Sequence, residues 1–422
     1  MTLPGLELVE PRTPKRVRRA AVTFEGGLDA PFHRWFRLTP SFSPDLVRGW
    51  LGKHDMGPGQ TILEPFAGAG TTNIVAKEAG IDSIGVEINP FLAFVGQTCL
   101  DWTPTAQRFR EAAANVVAAA AESVDGGPRD PAEFAESLGE ALPPIHNVSR
   151  WWRDQVLREL VAIRHAINRQ DGDVANHLKL ALAQIVYSTA NITLGRLQVA
   201  FVDRSSEEIA VFGPFAHMAE KIAADLEISD RFPRAIGTIH NADSTILDFV
   251  EDGSIDAVFT SPPYPNRYSY VWNTRPHLYL LEFFSTPKEA ATLDLRTIGG
   301  TWGAATSALM KGVIEPRPAV ESAAGSVIAR LHEVSPLMGN YVTKYFNSMD
   351  LHISAVRPKL RSGASVGYVV GNSESKGVMV ETHDILGEIL VANGFSRIDH
   401  EVLRKRNSGA GLIEVTVSAT AN

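Results

Sequence analysis

The residues with the clearest chemical capacity are Ser261-Pro262-Pro263-Tyr264. Two consecutive prolines force an extended, rigid backbone and remove two N–H donors, so the local surface is rich in acceptors. An exocyclic amino group donates two hydrogens, and the Ser261 hydroxyl and the Pro262 carbonyl can accept both. Such pairing draws the nitrogen from planar conjugation toward a tetrahedral form, with a lone pair aimed at a methyl donor. Tyr264 adds a flat face on which a base taken out of its duplex can stack. Methyl transfer from a sulfonium needs no metal and no covalent enzyme intermediate, so placement accounts for most of the catalysis. The bland alternative is a proline-rich turn after a buried strand. Position in the fold decides between the two.

A second constellation is Glu64-Pro65-Phe66-Ala67-Gly68-Ala69-Gly70-Thr71-Thr72. Gly68 and Gly70 permit conformations and close approaches that a side chain would block. Glu87 closes the next apolar run, where a carboxylate can accept both hydroxyls of an adenosine ribose. Asp243 and Ser244 follow a third run, and Asp243 can meet an adenine amino group. Asn73 stands where a GxGxxG dinucleotide loop requires its third glycine, and no Gly-Lys-Ser/Thr is nearby as in a phosphate-binding loop. S-adenosylmethionine carries no phosphate and needs neither feature. The expected cofactor contacts are therefore Glu64, Phe66, Ala67, Gly68, Gly70, Thr71, Thr72, Glu87, Ile88, Asp243, Ser244 and Ser261.

Both constellations sit where strands end. Residues 61–64, 83–87, 235–240 and 255–260 read as four short strands, and a helix begins at Thr71 and runs through Ile74, Val75 and Ala79. Later come a strand at 365–370, a helix around 383–392 and two strands near Glu401 and 412–417. Strands alternating with helices predict an α/β fold with a mainly parallel sheet covered on both faces. Such sheets bind ligands at the carboxyl ends of their strands. The two closing strands have no helix between them and fit an antiparallel edge hairpin. Residues 104–234 read as helix, for example at 106–124, 152–168 and 174–190, far more than a crossover needs, so a large helical insertion is expected. The expected division is a basic N-terminal arm at 1–23, a catalytic unit in three parts (24–103, 235–284 and 345–422), the helical insertion at 104–234, and a Gly-, Ala-, Ser- and Thr-rich insertion at 285–344 that can serve target recognition.

The net charge of −8 does not advertise nucleic-acid binding, so any such binding must use local basic clusters. Arg12, Lys15, Arg16, Arg18 and Arg19 form one, and Arg404-Lys405-Arg406 another, placed on the sheet edge where it can grip phosphate. The single cysteine, Cys99, excludes an intramolecular disulfide framework and a Cys-rich zinc site. It also lacks the preceding proline of a cytosine-C5 nucleophile and reads as a small core residue. His240 and His383 have no metal-ligand partners at suitable spacing, so no metal is expected. Trp151 and Trp152 read as core anchors rather than DNA contacts. Asn266, Arg267, Tyr268 and Tyr270 follow the proline tetrapeptide and are candidates for a base pocket or a phosphate contact. No apolar stretch is long enough to cross a bilayer and no signal core is visible, so a cytoplasmic protein with no membrane partner is expected.

EPFAGAGTT and TSPPY resemble the FxGxG and (D/N/S)PP(Y/F) motifs of amino-methylating DNA methyltransferases. Arg37-Leu38-Thr39-Pro40-Ser41-Phe42 and the residues to Val47 look like the segment that completes the methionine pocket in that family, which adds Thr39 and Phe42 to the cofactor set. Residues 365–373 look like the later strand that lines the base pocket; together the matches cover roughly 37–100, 234–284 and 345–417. Glu64 stands where aspartate is more usual. Serine at position 261 is commoner in enzymes that methylate N4 of cytosine, whereas Asp or Asn is commoner for N6 of adenine. The long insert between the two motifs departs from the common circular permutations of the family. The resemblance implies a Rossmann-like class I methyltransferase sheet, S-adenosylmethionine, duplex DNA with a flipped base, catalysis by Ser261, Pro262, Pro263 and Tyr264, and a cognate restriction or defence protein. The runner-up is methylation of RNA or a protein amide, since NPPY-type loops occur there too. A non-enzymatic nucleic-acid-binding protein on the same fold is the third reading, and the intact motif set argues against it.

Overall fold

The computed structural model describes residues 24–38, 41–170, 172–194, 199–300, 303–406, 409 and 411–422. The basic cluster between Arg12 and Arg19 and the expected cofactor contact Thr39 lie outside the described residues.

Seven strands form the central sheet: β1 (Thr61–Glu64), β2 (Asp82–Val86), β3 (Gly237–His240), β4 (Ile255–Thr260), β5 (Leu360–Gly371), β6 (Phe395–Lys405) and β7 (Ile413–Ala421). Their order is β6-β7-β5-β4-β1-β2-β3. The pairs β1–β2, β1–β4, β2–β3 and β4–β5 are parallel, while β7 runs antiparallel to both β5 and β6. The chain starts at the centre, builds outward through β2 and β3, then returns to build the other half from β4. The strand order therefore reverses between β1 and β4, where a doubly wound sheet opens its ligand crevice. The expected edge hairpin is present, with β7 slotted between β5 and β6. This is a doubly wound, Rossmann-like sheet with an antiparallel edge.

Its central strands are apolar because both faces are covered. Ile62 and Leu63 of β1 and Ala257, Val258 and Phe259 of β4 are fully buried. Three helices follow the first loops: α1 (Pro44–Lys53), α2 (Thr71–Glu78) and α3 (Pro90–Cys99). Ser43 and Asn89 cap α1 and α3 by accepting first-turn N–H groups. The segment between β2 and β3 holds α4 (Ala106–Gly126), α5 (Asp154–Asn168), α6 (Gly172–Thr189) and α7 (Phe212–Leu226), together with shorter helices and a small hairpin. These helices share one apolar cluster with α3, in which Phe109, Trp151, Trp152, Leu160, Leu182 and Phe215 are buried. The two tryptophans are thus core anchors. After α8 (Tyr270–Leu280), the other face is covered by α9 (Pro318–Val334), α10 (Pro336–Val356) and α11 (Thr382–Ala392). Val320, Ile328, Leu331 and Met338 share a cluster with strand residues Val258, Val366 and Val415, so much of 285–344 packs on the sheet. Among the described residues no helix is long and apolar enough to cross a membrane.

Candidate active site

β1 ends in Glu64, and the chain turns sharply before α2. Gly68 (φ 53°) and Gly70 (φ 83°) hold left-handed conformations. A Cβ on Gly70 would stand 3.3 Å from the Gly96 Cα, so α3 approaches the loop too closely for a side chain. The loop is also tied down from within. Glu64 is 1% exposed, and its carboxylate accepts from the Phe66 N–H at 3.0 Å, the Thr72 hydroxyl at 2.7 Å and the Thr260 hydroxyl. Burial pushes this carboxyl up to about 7 despite those donors. Thr260 is the last residue of β4, immediately before Ser261. Glu64 therefore fastens the glycine loop to the strand end that carries the proline tetrapeptide.

Glu87 follows β2. Its Oε2 accepts from the Gly68 N–H at 2.9 Å and its Oε1 from the Asn89 N–H at 2.8 Å. The Ile88 N–H is also directed at this carboxylate, so of its about four lone-pair sites one is left for a further donor. Its place in the cleft raises this carboxyl to about 7 as well, through burial. Asp243, just past β3, holds Thr245 through Oδ1, accepting its N–H at 3.0 Å and its hydroxyl at 2.8 Å. Its Oδ2 has no protein donor among the described residues.

A cavity of about 710 Å3 opens at these strand ends. From the expected set it is lined by Phe42, Phe66, Ala67, Gly68, Thr71, Glu87, Ile88, Asp243, Ser244, Ser261, Pro263 and Tyr264. Glu64, Gly70, Thr72 and Pro262 stand behind the wall and act on the cavity through the loop they shape. Asn266, Tyr268 and Tyr270 also line it, with the two tyrosine rings edge-to-face at 4.8 Å. Arg267 is exposed, at φ 61°, and its N–H is held by the Tyr341 hydroxyl at 3.1 Å.

The tetrapeptide is gripped by β5 and the hairpin. The Ser261 hydroxyl donates to the Val369 carbonyl at 3.1 Å and also meets the Tyr264 phenol, which leaves it a lone pair as acceptor. The Tyr264 hydroxyl donates to Glu414 Oε1 at 2.7 Å. Burial and the neighbouring Glu414 charge hold this phenol well above its ordinary pKa, so it stays neutral. Arg404 donates from Nε to the other oxygen of Glu414, and Arg406 donates to the Asn372 carbonyl at 2.9 Å. Both arginines line the cavity, and Arg404 lies on the edge strand β6, where the cluster is expected.

Glu414 escaped the sequence reading, as did the cavity residues Arg296, Thr297 and Asn273. The signal for Glu414 was a carboxylate inside an otherwise apolar alternation, Ile413-Glu414-Val415-Thr416-Val417. Cys99 is 1% exposed, and burial pushes its thiol up, away from nucleophilic use. His383 does meet a second histidine. One ligand atom each from His383, Asp384 and His400 lies within 4.8 Å of the others, a grouping that spacing hides because His400 comes from β6. None of the three lines the cavity.

No family model matches the chain. Short stretches are similar to curated type II methyltransferases. M.BsoBI of Geobacillus stearothermophilus is 39% identical over 72 residues, 17% of this chain and 14% of that protein. M.AvaI of Nostoc sp. is 33% identical over 97 residues, 23% of this chain and 19% of that protein. M.MjaII of Methanocaldococcus jannaschii is 41% identical over 59 residues, 14% of this chain and 11% of that protein. The chain thus spans only 11% to 19% of the length of these relatives. Among solved structures, the rRNA methyltransferase aviRa from Streptomyces viridochromogenes aligns at a TM-score of 0.28 and 10% identity, covering 96% of this chain and 94% of that one. A likeness this low adds nothing to what the strand order shows.

Proposed function

We propose that this protein uses S-adenosylmethionine to methylate an exocyclic amino group of a base in DNA, at N4 of cytosine in preference to N6 of adenine. The observation that carries this reading is the shared cavity: Ser261, Pro263 and Tyr264 face the same space as Gly68, Glu87 and Asp243. A volume of about 710 Å3 suits a cofactor with a base beside it. The residues fit the cofactor chemically. The remaining lone pair of Glu87 suits a ribose hydroxyl, Asp243 Oδ2 suits an adenine amino group, and Phe42, Phe66 and Ile88 supply apolar surface. When bound, the cofactor supplies an electrophilic methyl group on a sulfonium.

The rest of the chemistry belongs to the chain. Ser261 accepts an amino hydrogen with a free lone pair, Pro262 and Pro263 hold that turn rigid, and Tyr264 stacks on the base and fixes the direction of approach. The amino nitrogen supplies the lone pair, and the proton it sheds on methylation passes to solvent, because neither the Ser261 hydroxyl nor a peptide carbonyl is basic enough to keep it. Serine in the first position of the tetrapeptide supports cytosine. The similarity to type II methyltransferases supports duplex DNA and a restriction-modification or related defence setting, with a cognate restriction protein as partner. Arg296, Thr297 and Ile298 line the cavity, which supports a role for 285–344 in reading the target, with the helical 104–234 as its competitor.

Incubation with tritiated S-adenosylmethionine and mixed-sequence duplex DNA, RNA and protein tests this. Label in DNA is expected. Label confined to RNA or to protein overturns the assignment.

A further inference from the structure

We propose that Glu414 is a positioning residue for this reaction, holding Tyr264 in place as the platform for the base. The proposal rests on the reading of Tyr264 given above. Three restraints converge on that one ring. Its hydroxyl is fixed at 2.7 Å by Glu414 Oε1. The Arg406 guanidinium stands 5.5 Å from the ring centroid, within cation–π range. The ring edge lies against the backbone of Gly371, where an added Cβ would fall 3.0 Å from Tyr264 Cε2 and 2.8 Å from Arg406 Nη1.

Glu414 is the hub of this arrangement. It is 8% exposed, and it sits on β7 between two paired strands, opposite Gly371 on one side and Arg404 on the other. Its second oxygen takes the Arg404 Nε, so its charge is balanced and its rotamer fixed from both ends. A tyrosine left to rotate would have to be ordered each time a base arrived. Here the ordering is built into the free protein. A plain structural ion pair needs only Arg404 and Glu414; the phenol bonded to the same carboxylate and the bare glycine beneath the ring serve the platform.

The test is a double-mutant cycle on Tyr264→Phe and Glu414→Ala. It is read as kcat and KM for methylation of mixed-sequence duplex DNA, with cofactor Kd measured separately by calorimetry. Each single variant is expected to lower kcat/KM for DNA about tenfold. The double variant should be no worse than Glu414→Ala alone, because both changes break the same bond. Cofactor Kd should stay within about twofold. Single effects that multiply in the double variant overturn the proposal. So does a Tyr264→Phe protein that behaves like wild type, a result that does not depend on whether Glu414→Ala folds. Tyr264→Ala separates the two levels. If it is inactive on DNA while Tyr264→Phe is normal, only the role of Glu414 fails. If Tyr264→Ala retains full turnover, the base-platform reading fails and this proposal with it.

Discussion

Replacing Glu87 with glutamine isolates the cofactor half of the site. The carboxylate holds the Gly68 and Asn89 N–H groups at 2.9 and 2.8 Å and lines the cavity with its remaining lone pair. Glutamine keeps the shape but removes the charge and turns one acceptor into a donor. A hydrogen bond to a charged group contributes about 1.5–3 kcal/mol, against about 0.5–1.5 kcal/mol for a neutral pair. A ribose hydroxyl therefore loses about 1–1.5 kcal/mol, or about 5- to 13-fold in Kd. Calorimetric titration with S-adenosylmethionine reads this directly. It belongs at about pH 8.5, where a carboxyl raised to about 7 is ionised. A thermal melt checks that the Gly68 turn survives. An intact Glu87→Gln protein that binds the cofactor within about threefold of wild type would refute the role given to this carboxylate.

Other outcomes follow from the same geometry. Cofactor affinity should fall as pH drops through about 7, where Glu87 takes up a proton, and titrations of Glu87→Gln should lack that dependence. Stability runs the other way. Glu64 and Glu87 are raised from 4.5 to about 7 in the fold, so between those values the unfolded chain binds fewer protons. The ligand-free protein should lose stability across that window and level off above it, with a smaller change in Glu64→Gln; identical melting profiles for the two proteins would contradict the burial of Glu64. Thr72→Val removes a 2.7 Å donor from Glu64 and should cost about 1–3 kcal/mol in denaturant unfolding. Cys99→Ala should keep kcat within about twofold, and loss of activity in a folded protein would point back to a thiol nucleophile. Tyr264→Ala should lower turnover on DNA by about 5- to 150-fold while sparing cofactor affinity, since stacking contributes about 1–3 kcal/mol per base.

The parallel half of the sheet was legible because each unit carries its own local signature. An apolar run ends in an acid at Glu64 and Glu87, and β4 runs directly into Ser261-Pro262. The insertion of β7 between β5 and β6 has no such signature. It depends on the register that sets Glu414 opposite both Gly371 and Arg404. The wall around Tyr264 was hidden for that reason, and the sheet-edge cluster Arg404–Arg406 gave no sign that Arg404 pairs with Glu414. Glu64 read as a cofactor contact because strand-end acids often face ligands. What turns both its oxygens inward is Thr72 on α2 and Thr260 on β4, brought together only by folding. Trp151 and Trp152, read as core anchors from the sequence, are buried as such.

Nucleoside mass spectrometry of DNA methylated by the purified protein tests the central claim most directly. The expected product is N4-methylcytosine. N6-methyladenine would keep the amino chemistry of the Ser261–Tyr264 loop and overturn the choice of base. 5-Methylcytosine, or DNA left unmodified while another polymer is methylated, would contradict amino methylation of DNA itself.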